Sequence, residues 1–248
     1  MTSLPDRMAA WLRQRVDEAG ARGIVVGLSG GVDSAVVARV AQLAMGDEVV
    51  ALIMPAHSNP QDESDARLVA DQFTLRTIRV DLSGPFDSLV AAIEGGLAAH
   101  PSAAAGHQST EQLAIANVKP RLRMTTLYCV ANRLNYLVAG TGNRSEIAIG
   151  YYTKYGDGGV DLLPLASLVK SEVRALAAEL GVPRRVIDKP PSAGLWLGQT
   201  DEGEMGFTYA ELERFLREGP QAIEPAPAER IDRLVRASEH KRRMPAAF

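Results

Sequence analysis

The octet Gly27-Leu28-Ser29-Gly30-Gly31-Val32-Asp33-Ser34 constrains this chain more than any other stretch. An apolar run, Ile24-Val25-Val26, precedes it, and an apolar-periodic run from Ala35 to Met45 comes after it. That order reads as buried strand, tight loop and helix. Gly30 and Gly31 carry no Cβ, so the backbone can turn sharply there and approach a ligand closely. The helix that opens next offers N–H groups without partners and the positive end of its dipole, a combination that favours an anion. Ser29 and Ser34 add hydroxyls, and Asp33 adds a carboxylate. An acid beside a phosphate site needs a cation between the two, and Mg²⁺ shared by Asp33 and phosphate oxygens meets that need. No Gly-Lys-Ser/Thr comes next, so this is not the Walker loop. The third glycine of the dinucleotide fingerprint is also missing.

The same alternation continues along the chain. Helical spacing from Pro5 to Ala19 puts Met8, Trp11, Leu12 and Val16 on one face, with Trp11 expected in the core. Strands are expected at 24–26, 48–54, 75–82, 135–139 and 160–163. Helices are expected at 35–45, 61–73, 85–99, 111–133 with a break at Pro120, 167–180, 209–216 and 228–240. Near-continuous apolar strands suit a parallel sheet covered on both faces. The prediction is one α/β domain over 1–248, with a doubly wound, mostly parallel, five-stranded sheet and a helical C-terminal tail. Two stretches lack periodicity and are expected to be mobile loops: about 100–110, rich in Ala, Ser, Gly and His, and the Gly/Pro-rich 190–206.

Composition narrows the function. A net charge of −3 gives no whole-chain case for nucleic acid or an anionic membrane. The single cysteine, Cys129, sits in an apolar helical segment and reads as a buried small hydrophobe. His100 and His107 have no acidic or cysteine partners nearby and are read as solvated. No apolar run reaches the roughly 18 residues of a membrane span, and the start lacks a signal-peptide layout. A cytoplasmic protein is expected.

The octet resembles the pyrophosphate-binding loop, Ser-Gly-Gly-x-Asp-Ser, of the N-type ATP pyrophosphatases, whose sheet is Rossmann-like. Further motifs sharpen the likeness. Gly-Thr-Gly-Asn-Arg-Ser-Glu at 140–146, Tyr-Thr-Lys-Tyr-Gly-Asp-Gly-Gly-Val-Asp-Leu-Leu-Pro-Leu at 152–165, Lys-Pro-Pro-Ser-Ala-Gly-Leu-Trp at 189–196, Gly-Gln-Thr-Asp-Glu at 198–202 and Glu-His-Lys-Arg-Arg at 239–243 resemble NAD⁺ synthetase, ammonia-dependent type. The likeness runs from about residue 5 to residue 243. It implies ATP-dependent amidation of deamido-NAD⁺ to NAD⁺ with ammonia, through an adenylate, releasing AMP and pyrophosphate.

The resemblance also implies roles residue by residue. ATP is expected at Gly27, Leu28, Ser29, Gly30, Gly31, Val32, Asp33, Ser34, Thr141, Lys170 and Thr200. Mg²⁺ is expected between Asp33 and Glu146, and Lys170 is expected to act with them in catalysis. Deamido-NAD⁺ is expected at Arg121, Lys154, Asp161, His240 and Lys241. The family has Ala where this chain has Pro120, and a mid-helix proline would disturb the placement of Arg121. The family's substrate site lies at a homodimer interface built partly by the Arg121 helix, and Leu113, Leu122, Tyr128 and Leu134 could supply apolar contact there. No Glu-Lys-Cys amidase domain is visible, so free ammonia, or ammonia from a separate glutaminase chain, is the expected nitrogen source. Two alternatives stand beside this reading: a tRNA-modifying member of the superfamily, and a non-catalytic ATP-binding regulator. One cysteine and an acidic pI of about 5.9 count against the first. Asp33 and Glu146 together count against the second.

Overall fold

The computed structural model describes residues 2–100, 108–196 and 198–248. Four strands form one parallel sheet: β1 Gly23–Gly27, β2 Val49–Ile53, β3 Thr77–Arg79 and β4 Tyr136–Ala139, in the order β3-β2-β1-β4. Side chains alternate across it, as the pleat requires. Ile24, Val26, Val49, Ala51, Ile53 and Ala139 join one core, while Val25, Val50, Leu52 and Val138 join the other.

The first core is closed by helices α1 Leu4–Glu18, α2 Val32–Met45 and α3 Pro60–Phe73. Ser3 caps α1 by accepting from the Asp6 N–H, and Asn59 caps α3 by accepting from Gln61. α4 spans Ser83–Ala98 and α5 Gln108–Ala116. α6, Val118–Leu134, closes the second core through Ala131, Leu122, Leu127 and Tyr128. The short α7 Arg144–Ile149 comes after β4, and α8 Lys170–Glu179 returns to the first core with Val173, Leu176 and Ala177. The tail comprises α9 Arg184–Ile187, α10 Asp201–Met205, α11 Tyr209–Glu218, α12 Pro225–Ala237 and α13 Glu239–Arg242. It has a core of its own, built from Ile149, Met205, Phe207, Tyr209, Leu212 and Ile231. Among the described residues no helix is long and apolar enough to cross a membrane.

Several expectations are corrected. The sheet has four strands, because segment 160–163 contributes only an isolated bridge between Leu162 and Ala139. Pro164 comes at once after it and has no N–H with which to extend the ladder. The third strand is three residues long and lies at the sheet edge. The 111–133 helix breaks at Asn117, not at Pro120. Pro120 sits in the first turn of α6, where a missing N–H costs no helical bond. Trp11 is 38% exposed, because the buried stripe of α1 runs through Met8, Leu12 and Val16. Cys129 is exposed as well. Of the segment 100–110, residues 101–107, with His107, lie outside the described residues, while Gln108 already belongs to α5. The other loop, 190–206, contains α10.

The loop between β1 and α2 is packed hard against α3. Gly30 has φ +79°, and a Cβ there would run into the Asp62 carbonyl oxygen. At Gly31 the nearest atom to an added Cβ is Ser29 Oγ at 3.4 Å, ordinary contact, and φ is −95°. Gly30→Ala should therefore destabilise the fold by about 2 kcal/mol or more. Gly31→Ala should cost less than about 1 kcal/mol. Urea unfolding of the two variants tests this, and equal losses would show that the tight seat on α3 is misjudged.

Candidate active site

Ser34 organises the loop. Its hydroxyl donates to the Gly31 carbonyl at 2.9 Å, accepts from the Ser29 N–H at 3.2 Å and lies 3.1 Å from Ser29 Oγ. Ser29 Oγ in turn accepts from the Gly31 N–H at 3.3 Å. No side chain caps α2, so its first-turn amides face the loop as donors for an anion.

Beside this loop, three distant segments bring their charges together. The Lys170 ammonium lies 2.5 Å from Asp33 Oδ2 and 3.3 Å from Glu146 Oε1. Asn143 fixes both acids. Its Nδ2 donates to Asp33 Oδ1 at 2.9 Å, and its Oδ1 accepts from the Glu146 N–H at 3.1 Å. Glu146 Oε2 closes the capping box by accepting from the Asn143 N–H at 3.2 Å. Lys170 is the first residue of α8, the dipole end that repels a cation, and it is only 3% exposed. Burial works against its charge, but the two acids prevail and hold its ammonium above the ordinary lysine range. Burial pushes Glu146 up to about 7, against the pull of Lys170. A third acid, Asp201, adds to that push. Asp201 is 3% exposed; its Oδ2 accepts from the Tyr209 hydroxyl at 2.8 Å, while its Oδ1 has no hydrogen-bond partner.

Asp33, Glu146, Lys170 and Asp201 wall a cavity of about 450 Å³. Its floor is the loop and the strand ends, and its sides include Arg123, Thr141, Tyr151 and Lys241. Arg123 donates to the Met54 carbonyl at 3.1 Å and to Ser58 Oγ at 3.1 Å, which pins the segment after β2. Segment 190–195 lines the cavity as well. Lys119 Nζ holds it by donating to the Leu195 carbonyl at 2.8 Å, and Gln199 Oε1 accepts from the Leu195 N–H at 2.8 Å.

The donor set suits Mg²⁺. Asp33 and Glu146 already converge on one cationic position, and among the described residues no cluster of three or more His, Cys, Asp or Glu could hold a metal alone. Mg²⁺ takes one or two carboxylates and completes its shell with phosphate and water oxygens. In this structure the cation at that position is the ammonium of Lys170.

The NAD synthase family model matches residues 4–245. The chain belongs to the NAD synthase family. The NH(3)-dependent NAD(+) synthetase of Carboxydothermus hydrogenoformans is 50% identical over 240 residues, covering 97% of this chain and 94% of that one. The protein of the same name from Archaeoglobus fulgidus is 46% identical, with 97% and 94% covered. Among solved structures, an NMN synthetase from Francisella tularensis superposes with a TM-score of 0.88 at 36% identity, covering 99% of this chain and 97% of that one. An NH3-dependent NAD synthetase from Campylobacter jejuni, in complex with nitrate, gives 0.79 at 27% identity, with 99% and 97% covered.

In this NAD synthase-family chain the expected positions fall into two sets. Gly27, Leu28, Ser29, Gly31, Val32, Asp33, Ser34, Thr141, Glu146, Lys170 and Lys241 line the cavity, and Gly30 lies beneath it against α3. Thr200 does not line it; its hydroxyl caps α10 by accepting from the Gly203 N–H at 3.3 Å. Arg121, Lys154, Asp161 and His240 also lie outside. Arg121 reaches the Lys154 carbonyl at 3.4 Å, and Lys154 Nζ donates to the His240 carbonyl at 2.6 Å. Asp161 accepts from the Tyr128 hydroxyl and the Val138 N–H, both at 2.8 Å, tying α6 to β4. Sequence reasoning missed Asn143, Arg123 and Asp201. For Asn143 the Asn-x-x-Glu spacing was a readable signal. Nothing local marks the other two.

The raised Glu146 carries a stability cost with a definite sign. The folded protein keeps a proton that the unfolded chain releases above about pH 4.5. Stability from this group is complete below that pH and is lost as pH rises towards 7, by at most about 3 kcal/mol. Glu146→Gln should unfold at higher urea than the parent at pH 8 without nucleotide, and should show a flatter pH dependence between 5 and 8. A loss at pH 8 matching that at pH 5 would show that burial does not strain this carboxyl.

Proposed function

We propose that this chain is an ammonia-dependent NAD⁺ synthetase, a ligase that converts deamido-NAD⁺, ATP and ammonia to NAD⁺, AMP and pyrophosphate. The observation that carries the reading is the convergence of Asp33, Glu146 and Lys170 at the mouth of the glycine loop. A carboxylate does not react usefully with ammonia, because oxide would have to leave. A carboxylate oxygen therefore attacks the α-phosphorus of ATP, the bond to the β-phosphate oxygen breaks, and pyrophosphate departs. Ammonia then adds to the acyl carbon, loses a proton, and expels AMP.

The chain's part is to position and neutralise oxyanions. The loop amides and the Ser29 and Ser34 hydroxyls hold the departing pyrophosphate. Lys170 supplies positive charge beside it. Asp33 and Glu146 would hold Mg²⁺, which supplies neutralisation at the phosphate oxygens. Segment 190–195, at the cavity wall, would exclude water, which otherwise hydrolyses the adenylate. Thr200 comes to the nucleotide only if α10 shifts.

The dinucleotide positions Arg121, Lys154, Asp161 and His240 lie on the exposed side of α6, outside the ATP cavity. A second copy of the chain would complete that half of the site. α4 supports this, because of its residues only Phe86 is buried. Leu89, Ile93 and Leu97 are 40–46% exposed at i, i+4, i+8 spacing, and Leu113 of α5 and Ile78 of β3 are similarly exposed. An apolar stripe of this extent marks an interface. The partner is a second copy, in a homodimer.

The deciding assay mixes the protein with ATP, Mg²⁺, ammonium and deamido-NAD⁺. NAD⁺, AMP and pyrophosphate should appear in equal amounts. Glutamine in place of ammonium should give little product, and efficient use of it would refute the nitrogen source. Because the Francisella neighbour is named an NMN synthetase, nicotinate mononucleotide is run in parallel, and the dinucleotide should be preferred. Asp33→Asn should lower turnover by about a hundredfold or more while leaving the circular dichroism spectrum unchanged. Ile93→Glu with Leu97→Glu should sediment as a monomer that binds ATP but binds deamido-NAD⁺ weakly. An intact dimer would place the interface elsewhere.

A further inference from the structure

The stretch 189–196 begins with a lysine that none of the steps above uses. α9 ends at Ile187, and Lys189-Pro190-Pro191 leads into the segment that lines the cavity. Two successive prolines have fixed φ, so this stem transmits the placement of Lys189 to residues 192–196. The Lys189 ammonium lies 2.7 Å from Asp62 Oδ1 and 2.8 Å from Asp65 Oδ2, both in the first turns of α3. Asp65 is 1% exposed and is also held by Arg185 Nε at 3.0 Å and Gln61 Nε2 at 2.9 Å. Asp65 is therefore satisfied by several groups, whereas Lys189 is the only ion-pair partner of Asp62 among the described residues.

Asp62 touches three things at once. Its Oδ1 takes Lys189; its Oδ2 faces the returning segment, where a Cβ on Gly194 would lie 3.7 Å away; and its backbone carbonyl is packed against Gly30 of the glycine loop. Asp62 also lines the cavity that the loop floors. Left unpaired, its carboxylate would face the triphosphate as a like charge, in a site where charges are weakly screened. With Lys189 in place, that charge is neutralised and the covering segment is seated over the loop by the same bond.

We infer that Lys189 is a positioning residue: its ion pair with Asp62 seats segment 190–196 over the glycine loop and couples that seating to retention of the triphosphate. This rests on the reading that residues 27–34 hold the triphosphate. Lys189 acts through Asp62 and the covering segment, and the coupling is reciprocal: a bound triphosphate favours the seated segment as much as the seated segment favours the triphosphate.

The test uses the full chain in a Trp11→Phe background, so that Trp196 alone reports on the covering segment. ATP affinity is measured calorimetrically with Mg²⁺ and without deamido-NAD⁺, below each variant's thermal midpoint. Lys189→Met should weaken ATP binding about tenfold, abolish the ATP-induced change in Trp196 fluorescence and leave Leu195 and Trp196 open to chymotrypsin. Lys189→Arg should restore most of this. The deciding variant is Asp62→Asn with Lys189→Met: with the repelling charge gone, ATP affinity should recover above that of Lys189→Met alone, although Trp196 stays silent. A role in folding alone predicts no such recovery. ATP affinity unchanged in Lys189→Met, or a double variant weaker than Lys189→Met, would overturn the inference while leaving the proposed activity standing. Should Lys189→Met not fold, Asp62→Asn alone takes its place: it should lose both protection from chymotrypsin and the ATP-induced change in Trp196 fluorescence, and unchanged protection would overturn the inference. If the parent binds no ATP, the reading of residues 27–34 fails and the inference falls with it.

Discussion

A lysine ammonium buried between two carboxylates, at the carboxyl ends of β1 and β4, is the constraint around which this structure is arranged. Lys170 is 137 residues from Asp33 and 24 from Glu146 in sequence, so the contact exists only when the sheet and α8 have assembled. Lys170 sits where local rules resist it, while Asp33 and Glu146 sit in helix first turns that favour an acid but crowd one another. A cation at the first residue of α8 opposes the helix dipole. Two acids side by side repel, and a buried carboxyl resists ionisation. The compensation is mutual, with Asn143 holding the acids in register. Violations of local preference that are repaired across the fold are expected at functional sites.

Strand order puts this cluster where a ligand can reach it. From β1 the chain winds outward through β2 to β3, then crosses back to lay β4 on the other side of β1. The loops after β1 and β4 therefore leave the sheet in opposite directions and open a crevice between them. The glycine octet and the 140–146 motif are the two lips of that crevice. Their resemblance to one another, strand then glycine turn then helix, comes from serving the same geometric need on neighbouring strands.

Much of this was legible in the chain. Ile24 to Met45 read correctly as strand, loop and helix because every local signal agreed: an apolar run, two glycines and a periodic stretch. The expected residues that do line the cavity, such as Ser29, Asp33, Thr141, Glu146 and Lys170, were legible through their motifs. What failed was information that lies outside any local window. Trp11 shares an apparent face with Met8 and Leu12, but periodicity sets the direction of a stripe and not its width. Cys129 sits among apolar neighbours, yet α6 leaves that side uncovered. The fifth strand looked sound until Pro164 is counted as a missing donor. Asn117, rather than Pro120, broke the helix because a proline in a first turn loses nothing. Arg123 and Asp201 owe their places to tertiary neighbours and left no local mark.

The two sets of expected site residues are divided by depth, and that division has a physical cause. A triphosphate needs focused dipoles and buried charges, which only the crevice supplies. Arg121, Lys154, Asp161 and His240 lie outside the cavity, so the dinucleotide proposed above would reach them only with its distal half. Leu89, Ile93 and Leu97 of α4 and Leu113 of α5 are apolar residues that one chain alone leaves in water. In the homodimer proposed above, covering them and completing the outer half of the site would be one requirement, met by the same second copy. The strained state of Glu146 fits this division. In the proposed complex, cations gathered with the nucleotide would favour a charge that the empty crevice disfavours, so binding energy would flow to the acid that needs it while the empty enzyme bears the cost.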